Sequence, residues 1–261
     1  MKKIQLRSFK LQPLLAKQGI TIVFSLACLG LAFLTGTFWL EKQEQATTIS
    51  RLESQNRELG KQVTSLTEFK PIKGSFVPAL RSSDRVEGSR DAEILIIEYS
   101  DLECPYCKQL NASLQTIQKE FGGKVAHVFR QFPISSLHAN APMEAEAAEC
   151  VAEQAGDKGF YSFINAVFAG SSSTGTSYTE ASIQTLAGSL GFDSAKLKEC
   201  MASDRKVAAV NASYKEAKDL GMTGTPTWFV IRTSDNETRQ AVGTKKTESI
   251  REVINQLLSQ G

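Results

Sequence analysis

The sequence predicts an α/β fold in which a strand, helix, strand unit is separated from a strand, strand, helix unit by a purely helical block. Three observations carry this prediction. Apolar and β-branched runs mark four strands, at Ile94–Ser100 (ILIIEYS), Val125 to Phe132, Thr227 to Arg232 and Thr238 to Val242. Helical spacing marks the flanking helices: Leu110, Leu114, Ile117 and Phe121 form one stripe, and Ile250, Val253, Ile254, Leu257 and Leu258 form another. Between the two units, from about 140 to 220, no strand pattern occurs. Phe160, Phe163, Val167 and Phe168, then Ile183, Leu186, Ala187 and Leu190, are spaced as helix faces, with Ser177 and Glu180 as a capping box before the second.

The chain before these elements is organised differently. Residues 1–18 hold Lys2, Lys3, Arg7, Lys10 and Lys17 without an acid, a basic tail. Residues 19–40 (GITIVFSLACLGLAFLTGTFWL) carry no charge, and at about 1.5 Å rise per residue they cover a hydrocarbon core of roughly 30 Å. The positive-inside bias keeps the tail cytoplasmic and sends the rest across, so the expectation is a single-pass anchor with the N-terminus inside. A cleaved signal peptide is the competing reading; its apolar region is shorter and ends in a small-x-small site, whereas Phe38-Trp39-Leu40-Glu41 offers none. Residues 41–70 read as a helical stalk, because Ile49, Leu52, Leu59, Val63 and Leu66 follow alternating steps of three and four, with Asn56 at the remaining register position. Such a seam suits either self-association through the stalk or a solvated spacer. Residues 71–88 shift to Pro, Gly, Ser and isolated charges and read as a linker, with the folded domain following at 89–261.

Charge and cysteine content bound the function. Thirty basic against twenty-eight acidic residues give +2, which excludes a protein working by nonspecific nucleic-acid binding. With the first forty residues set aside, 25 basic residues face 28 acidic ones, a charge of −3. Of five cysteines, Cys28 lies in the apolar run and reads as inert packing. Beyond the predicted membrane span the compartment permits disulfides.

Cys104-Pro105-Tyr106-Cys107 falls between the first strand and the first amphipathic helix. There Cys104 sits near the N-cap with Pro105 at the first helical position, and the unpaired N–H groups and helix dipole favour a thiolate. Cys107 shares the inward stripe with Leu110. The expectation is an exposed nucleophile, Cys104, and a buried resolving thiol, Cys107, working through a mixed disulfide. A zinc site fits poorly, since no second close cysteine pair exists and His127 and His138 do not make a ligand spacing. Glu98 is a lone carboxylate in an apolar strand, on the face of Ile94 and Ile96; pointing inward, it would take or give the Cys107 proton. Pro226, after Thr225 at the start of the third strand, reads either as an edge feature or as a cis peptide offering the Thr225 backbone to an extended substrate. Cys150 and Cys200, both in the helical block, are expected to form a structural disulfide, with a second redox pair as the alternative.

The stretch from Val86 to Cys107 (VEGSRDAEILIIEYSDLECPYC), with Thr223-Gly-Thr-Pro-Thr-Trp228 and the Glu149-Cys150 helix, resembles the DsbA-like branch of the thioredoxin superfamily over roughly 75–261. The resemblance implies a thioredoxin fold with a helical insertion, Cys104 as nucleophile, Cys107 as resolving thiol, a cis bond before Pro226, and Glu98 as an acid beneath the pair. It also implies action in a bacterial cell envelope on newly exported cysteine-containing proteins, recharging by a membrane partner of the DsbB or vitamin K epoxide reductase type, and no cofactor. The chain departs from the best-known oxidase of that branch in carrying Pro-Tyr between the cysteines and Thr225 before the proline. Both features also occur in relatives that isomerise disulfides. The expected activity is therefore an oxidase donating the Cys104–Cys107 disulfide, with a stalk-oligomerised isomerase or reductase and a noncatalytic membrane adaptor as alternatives.

Overall fold

The computed structural model describes residues 36–60, 69–72, 77–172 and 178–260, divided into two units at Gly60. In the first unit residues 36–60 form one helix, α1, on which Ile49, Leu52 and Leu59 are exposed. Most of the predicted membrane span, 19–40, lies outside the described residues, as do Val63, Leu66 and Ser177. Among the described residues no helix is long and apolar enough to cross a membrane.

The second unit is built on a six-stranded sheet of order β1-β6-β5-β3-β4-β2. Its strands are β1 (Lys70–Ile72), β2 (Arg85–Glu87), β3 (Ile94–Ser100), β4 (Val125–Gln131), β5 (Thr227–Arg232) and β6 (Thr238–Val242). β3 and β4 run parallel, joined through helix α2 (Pro105–Phe121); the remaining pairs are antiparallel. The four strands expected from sequence are present. The stretch read as stalk end and linker instead contributes two edge strands, β1 on β6 and β2 on β4. Each is only three residues long, too short to show a period of two, and is held by its neighbour's backbone rather than by its own apolar pattern.

The expected helical block comprises α3 (Ala141–Gly170), α4 (Glu180–Ser189), α5 (Ser194–Ala202) and α6 (Val207–Asp219), followed after β5 and β6 by α7 (Thr247–Ser259). α3 breaks at Gly156, whose φ of 63° no ordinary side chain adopts readily. The box at the start of α4 is formed by Thr179 and Ser182, each side chain accepting the other's backbone N–H, two positions after the expected Ser177. Glu180 is thus the first residue of the helix and not the third of a box.

Alternation in β3 divides the core. Ile94 and Ile96 pack with Leu110, Leu114 and Ile117 of α2 and with Ile250, Val253 and Ile254 of α7. Leu95, Ile97 and Tyr99 take the opposite face with Ala217 and Met222. On that face Arg130 is buried, bonding Asp84, the Tyr99 hydroxyl and Glu216. The helical block contributes a third cluster, in which Phe160, Phe163 and Val167 of α3 surround Phe129 together with Cys104 and Cys107. The two cysteines therefore sit where sheet end, α2 and helical insertion meet.

Candidate active site

β3 delivers the chain to the redox pair through a tightly held turn. The Asp101 carboxylate accepts the N–H of Glu103 at 2.9 Å and of Ile134 at 2.7 Å, and lies 2.9 Å from His138 Nδ1. Glu103 accepts the N–H of Asn140 at 2.8 Å. The turn is thus fastened to the segment leading into α3. It ends on Cys104, the N-cap of α2, with Pro105 beginning the helix. No side chain caps this helix, so its first N–H groups face the Cys104 sulfur.

Both sulfurs are free thiols. Cys107 is wholly buried, as its place on the α2 stripe predicts. Cys104 departs from expectation: it is 4% exposed and not an open nucleophile. The cause is the strand-start loop, whose Thr225 carbonyl accepts from Cys104 Sγ at 3.6 Å, together with the helical insertion packed on the other side. The Thr225–Pro226 peptide bond is cis.

The electrostatics separate the two thiols strongly. Cys104 is held down at about 6, from an ordinary value of 9.0, chiefly because the Cys107 thiol hydrogen-bonds its thiolate. Burial opposes this, while the Cys107 N–H, the Thr225 side chain and the Tyr106 N–H add to it. Cys107 is pushed well up by burial first, and then by the Cys104 thiolate and the Glu98 carboxylate; the Ser100 side chain pulls weakly the other way. One thiol is ready to attack near neutral pH and the other keeps its proton until something takes it.

Glu98 is fully buried on the face shared with Ile94 and Ile96. Its Oε2 lies 2.9 Å from Nε2 of His127, itself buried on β4, while its Oε1 has no hydrogen-bond partner. His127 is a residue the sequence reading weighed only as a metal ligand. Its signal was present nonetheless, since it shares the side of β4 occupied by Phe129, and β3 and β4 lie side by side. Asp101, Glu103 and Glu144 were also missed. They are buried carboxylates in or beside the turn, and burial, reinforced by Glu103 and Asp101, pushes Glu144 up to about 8.

Cys150 of α3 and Cys200 of α5 are joined by a disulfide, packed in the same apolar cluster as the thiol pair. Of the residues singled out from sequence, Cys104, Cys107, Thr225, Pro226 and Glu98 come together, and Cys150 and Cys200 form a separate bridge within the insertion.

A thioredoxin family model matches residues 81–253. Among solved structures, DsbA2 of Pseudomonas aeruginosa is 25% identical with a TM-score of 0.58, covering 69% of this chain and 97% of that one. BdbD of Bacillus subtilis in its oxidised form is 24% identical with a TM-score of 0.57, covering 67% and 93%. Among curated relatives, a Na(+)/H(+) antiporter NhaA 3 of Salinispora tropica is 34% identical over 156 residues, 59% of this chain and 22% of that protein. The chain spans about a fifth of the length of such relatives. The matched segment runs from before β2 into the first half of α7, hence across the whole thiol site and the helical insertion, and the chain belongs to the thioredoxin family, in the fold form shared with DsbA-type proteins.

Proposed function

We propose that the protein is a membrane-anchored thiol–disulfide oxidoreductase that oxidises exported proteins. The observation that carries this reading is the split between the two thiols at the head of α2, with Cys104 near 6 and Cys107 far above the ordinary thiol value. A stabilised Cys104 thiolate makes it a good leaving group and favours the reduced protein, which is what a disulfide donor requires.

In the oxidising direction a substrate thiolate attacks Cys104 Sγ of the Cys104–Cys107 disulfide. That bond breaks, Cys107 leaves as a thiolate, and it takes up a proton from solvent by way of Glu98. A second substrate thiolate then attacks the substrate sulfur of the mixed disulfide and releases Cys104 as a thiolate. The substrate gains a disulfide and gives two electrons to the protein, which a membrane partner of the DsbB or vitamin K epoxide reductase type removes. The Thr225 backbone beside Cys104 supports docking of an extended chain, and Tyr106, 57% exposed, together with Leu137, 74% exposed, supports contact with unfolded apolar segments. Residues 19–40 hold the domain at the bilayer, on the outer side of the bacterial cytoplasmic membrane.

The test is equilibration of the full chain against glutathione buffers, reading the fraction of Cys104–Cys107 disulfide. A potential towards about −120 mV fits an oxidase, and one near about −270 mV overturns that direction in favour of a reductase. The isomerase reading draws on the exposed Ile49, Leu52 and Leu59 of α1, which suit a self-associating stalk. It requires Cys104 reduced at steady state and a mass in solution above that of one chain. The adaptor reading requires that Cys104→Ser leave function intact.

A further inference from the structure

A cleft of about 460 Å³ lies outside the thiol site, between the start of α3 and α6. A space of that size takes a side chain or a small ligand. Its walls are apolar, with Pro142 and Met143 on one side and Val207, Val210 and Tyr214 on the other. The Tyr214 ring packs on buried Phe132, their centroids 5.2 Å apart, so this wall is anchored to the end of the sheet. Pro133 and Ser135 complete the lining, and they belong to the segment that fastens the redox turn, where Asp101 accepts the Ile134 N–H and Glu103 the Asn140 N–H. The same segment carries Leu137, 74% exposed. Met143 in turn packs on the cluster that contains Cys104 and Cys107. One stretch of chain thus borders both the thiols and the cleft.

Glu146 gives the cleft its chemistry. It lies one helical turn beyond Pro142 and lines the cleft, and its Oε1 is buried without a hydrogen-bond partner. A buried carboxylate oxygen that lacks a donor costs free energy. The surroundings supply none: among the described residues no lysine, arginine or histidine lines the cleft, and burial first, then the Asp204 charge, holds the Glu146 carboxyl above the ordinary carboxylate value. Arg205 and Lys206, which follow Asp204, are both held by Glu153, at 2.7 and 2.6 Å. The cleft therefore lacks a cation that can reach Glu146 past apolar walls. An ammonium or guanidinium on a hydrocarbon stem meets both demands, laying its methylenes on the walls and donating to Oε1 from its head.

We infer that this cleft receives a lysine or arginine side chain of the extended polypeptide whose cysteine meets Cys104, so that the protein prefers exported substrates with a basic residue at a set distance from the reacting cysteine. The inference rests on the oxidoreductase reading and narrows its substrate class. Because thiols and cleft are fixed to the same segment, and an extended chain advances about 3.3 Å per residue, the preference is confined to one or two positions of the substrate. General attraction to a domain of charge −3 has no such position dependence.

The test uses the full chain in detergent, its Cys104–Cys107 disulfide formed with oxidised glutathione, and two-cysteine peptides in single turnovers quenched by acid and read by mass. One peptide thiolate attacks Cys104 Sγ and Cys107 leaves; the second peptide thiolate displaces Cys104, so the peptide gains a disulfide and the protein two electrons, the thiol protons passing through solvent. A single arginine is moved residue by residue along the peptide, each time against citrulline, which keeps the shape and removes the charge. The arginine peptide is expected to react about fivefold or more faster at one or two adjacent positions, and nearly equally elsewhere. Glu146→Gln is expected to bring that peptide down to the rate of its citrulline counterpart. Asn211→Lys, which sets a fixed cation on the exposed rim of the cleft, is expected to do the same and decides the matter should Glu146→Gln fail to fold. Equal rates at every position overturn the inference, as does an arginine advantage at every position alike or a Glu146→Gln loss shared by both peptides. Calorimetric binding of free N-acetylarginine amide that Glu146→Gln abolishes, with all peptides reacting alike, assigns the cleft to a small cation and overturns it too. A native protein that oxidises none of the peptides overturns the redox reading itself, and the inference with it.

Discussion

The low ionisation point of Cys104 makes a quantitative prediction about redox poise. A thiol ionising near 6 instead of 9.0 has its thiolate favoured by about 4 kcal/mol, at about 1.36 kcal/mol per pH unit. Because the folded value lies below the ordinary one, this stabilisation of the reduced protein is complete above about pH 9 and is lost as pH falls through about 6. At pH 7 about 1.4 kcal/mol of it is expressed, which for a two-electron couple is about 30 mV of added oxidising power. The largest single cause is the hydrogen bond from the Cys107 thiol, so Cys107→Ala is the informative perturbation. A hydrogen bond to a charged group contributes about 1.5–3 kcal/mol, so the Cys104 midpoint should rise by about one to two pH units in Cys107→Ala. Thr225→Val, removing a weaker contribution, should raise it by less. The assay is thiolate absorbance at 240 nm against pH, with the rate of iodoacetamide alkylation as a second reading. A native midpoint near the ordinary thiol value, or one that Cys107→Ala leaves in place, refutes the argument that the neighbouring thiol holds Cys104 down.

The remaining predictions concern groups outside the exchange itself. Replacing both Cys150 and Cys200 by Ala removes a bridge spanning 50 positions, and denaturant unfolding should show a loss of about 4 kcal/mol by the loop-closure account. Oxidation of a two-cysteine peptide by the oxidised chain should keep its native rate, and a change in it restores the alternative that this bridge takes part in exchange. Glu144, with neither carboxylate oxygen hydrogen-bonded and its value raised to about 8, opposes folding when ionised. Its folded value lies above the ordinary 4.5, so native stability should fall between about pH 5 and pH 8, by up to about 3.5 kcal/mol from this group. Glu144→Gln should flatten that decline, as read by urea unfolding at the two pH values; an unchanged slope would show that Glu144 is not its source.

Sequence determined the elements whose reasons are local. β3 and β5 are bounded by their own apolar runs, and α2 begins at Pro105 with Cys104 as its N-cap, features fixed by side-chain type and spacing alone. The same spacing put Cys107 on the buried stripe of α2 and Glu98 on the side of β3 shared with Ile94 and Ile96, so the residues of the site were legible in the sequence. Only the tertiary structure could decide matters that depend on segments distant in the chain. β1 and β2 exist because β6 and β4 offer unpaired backbone, not because three residues specify a strand. The near-burial of Cys104 comes from Thr225, 121 positions away, and from an insertion that closes over it. His127 became the partner of Glu98 through the parallel pairing of β3 with β4. A strand's sequence tells which face a side chain takes, whereas what waits on that face is supplied by the rest of the chain.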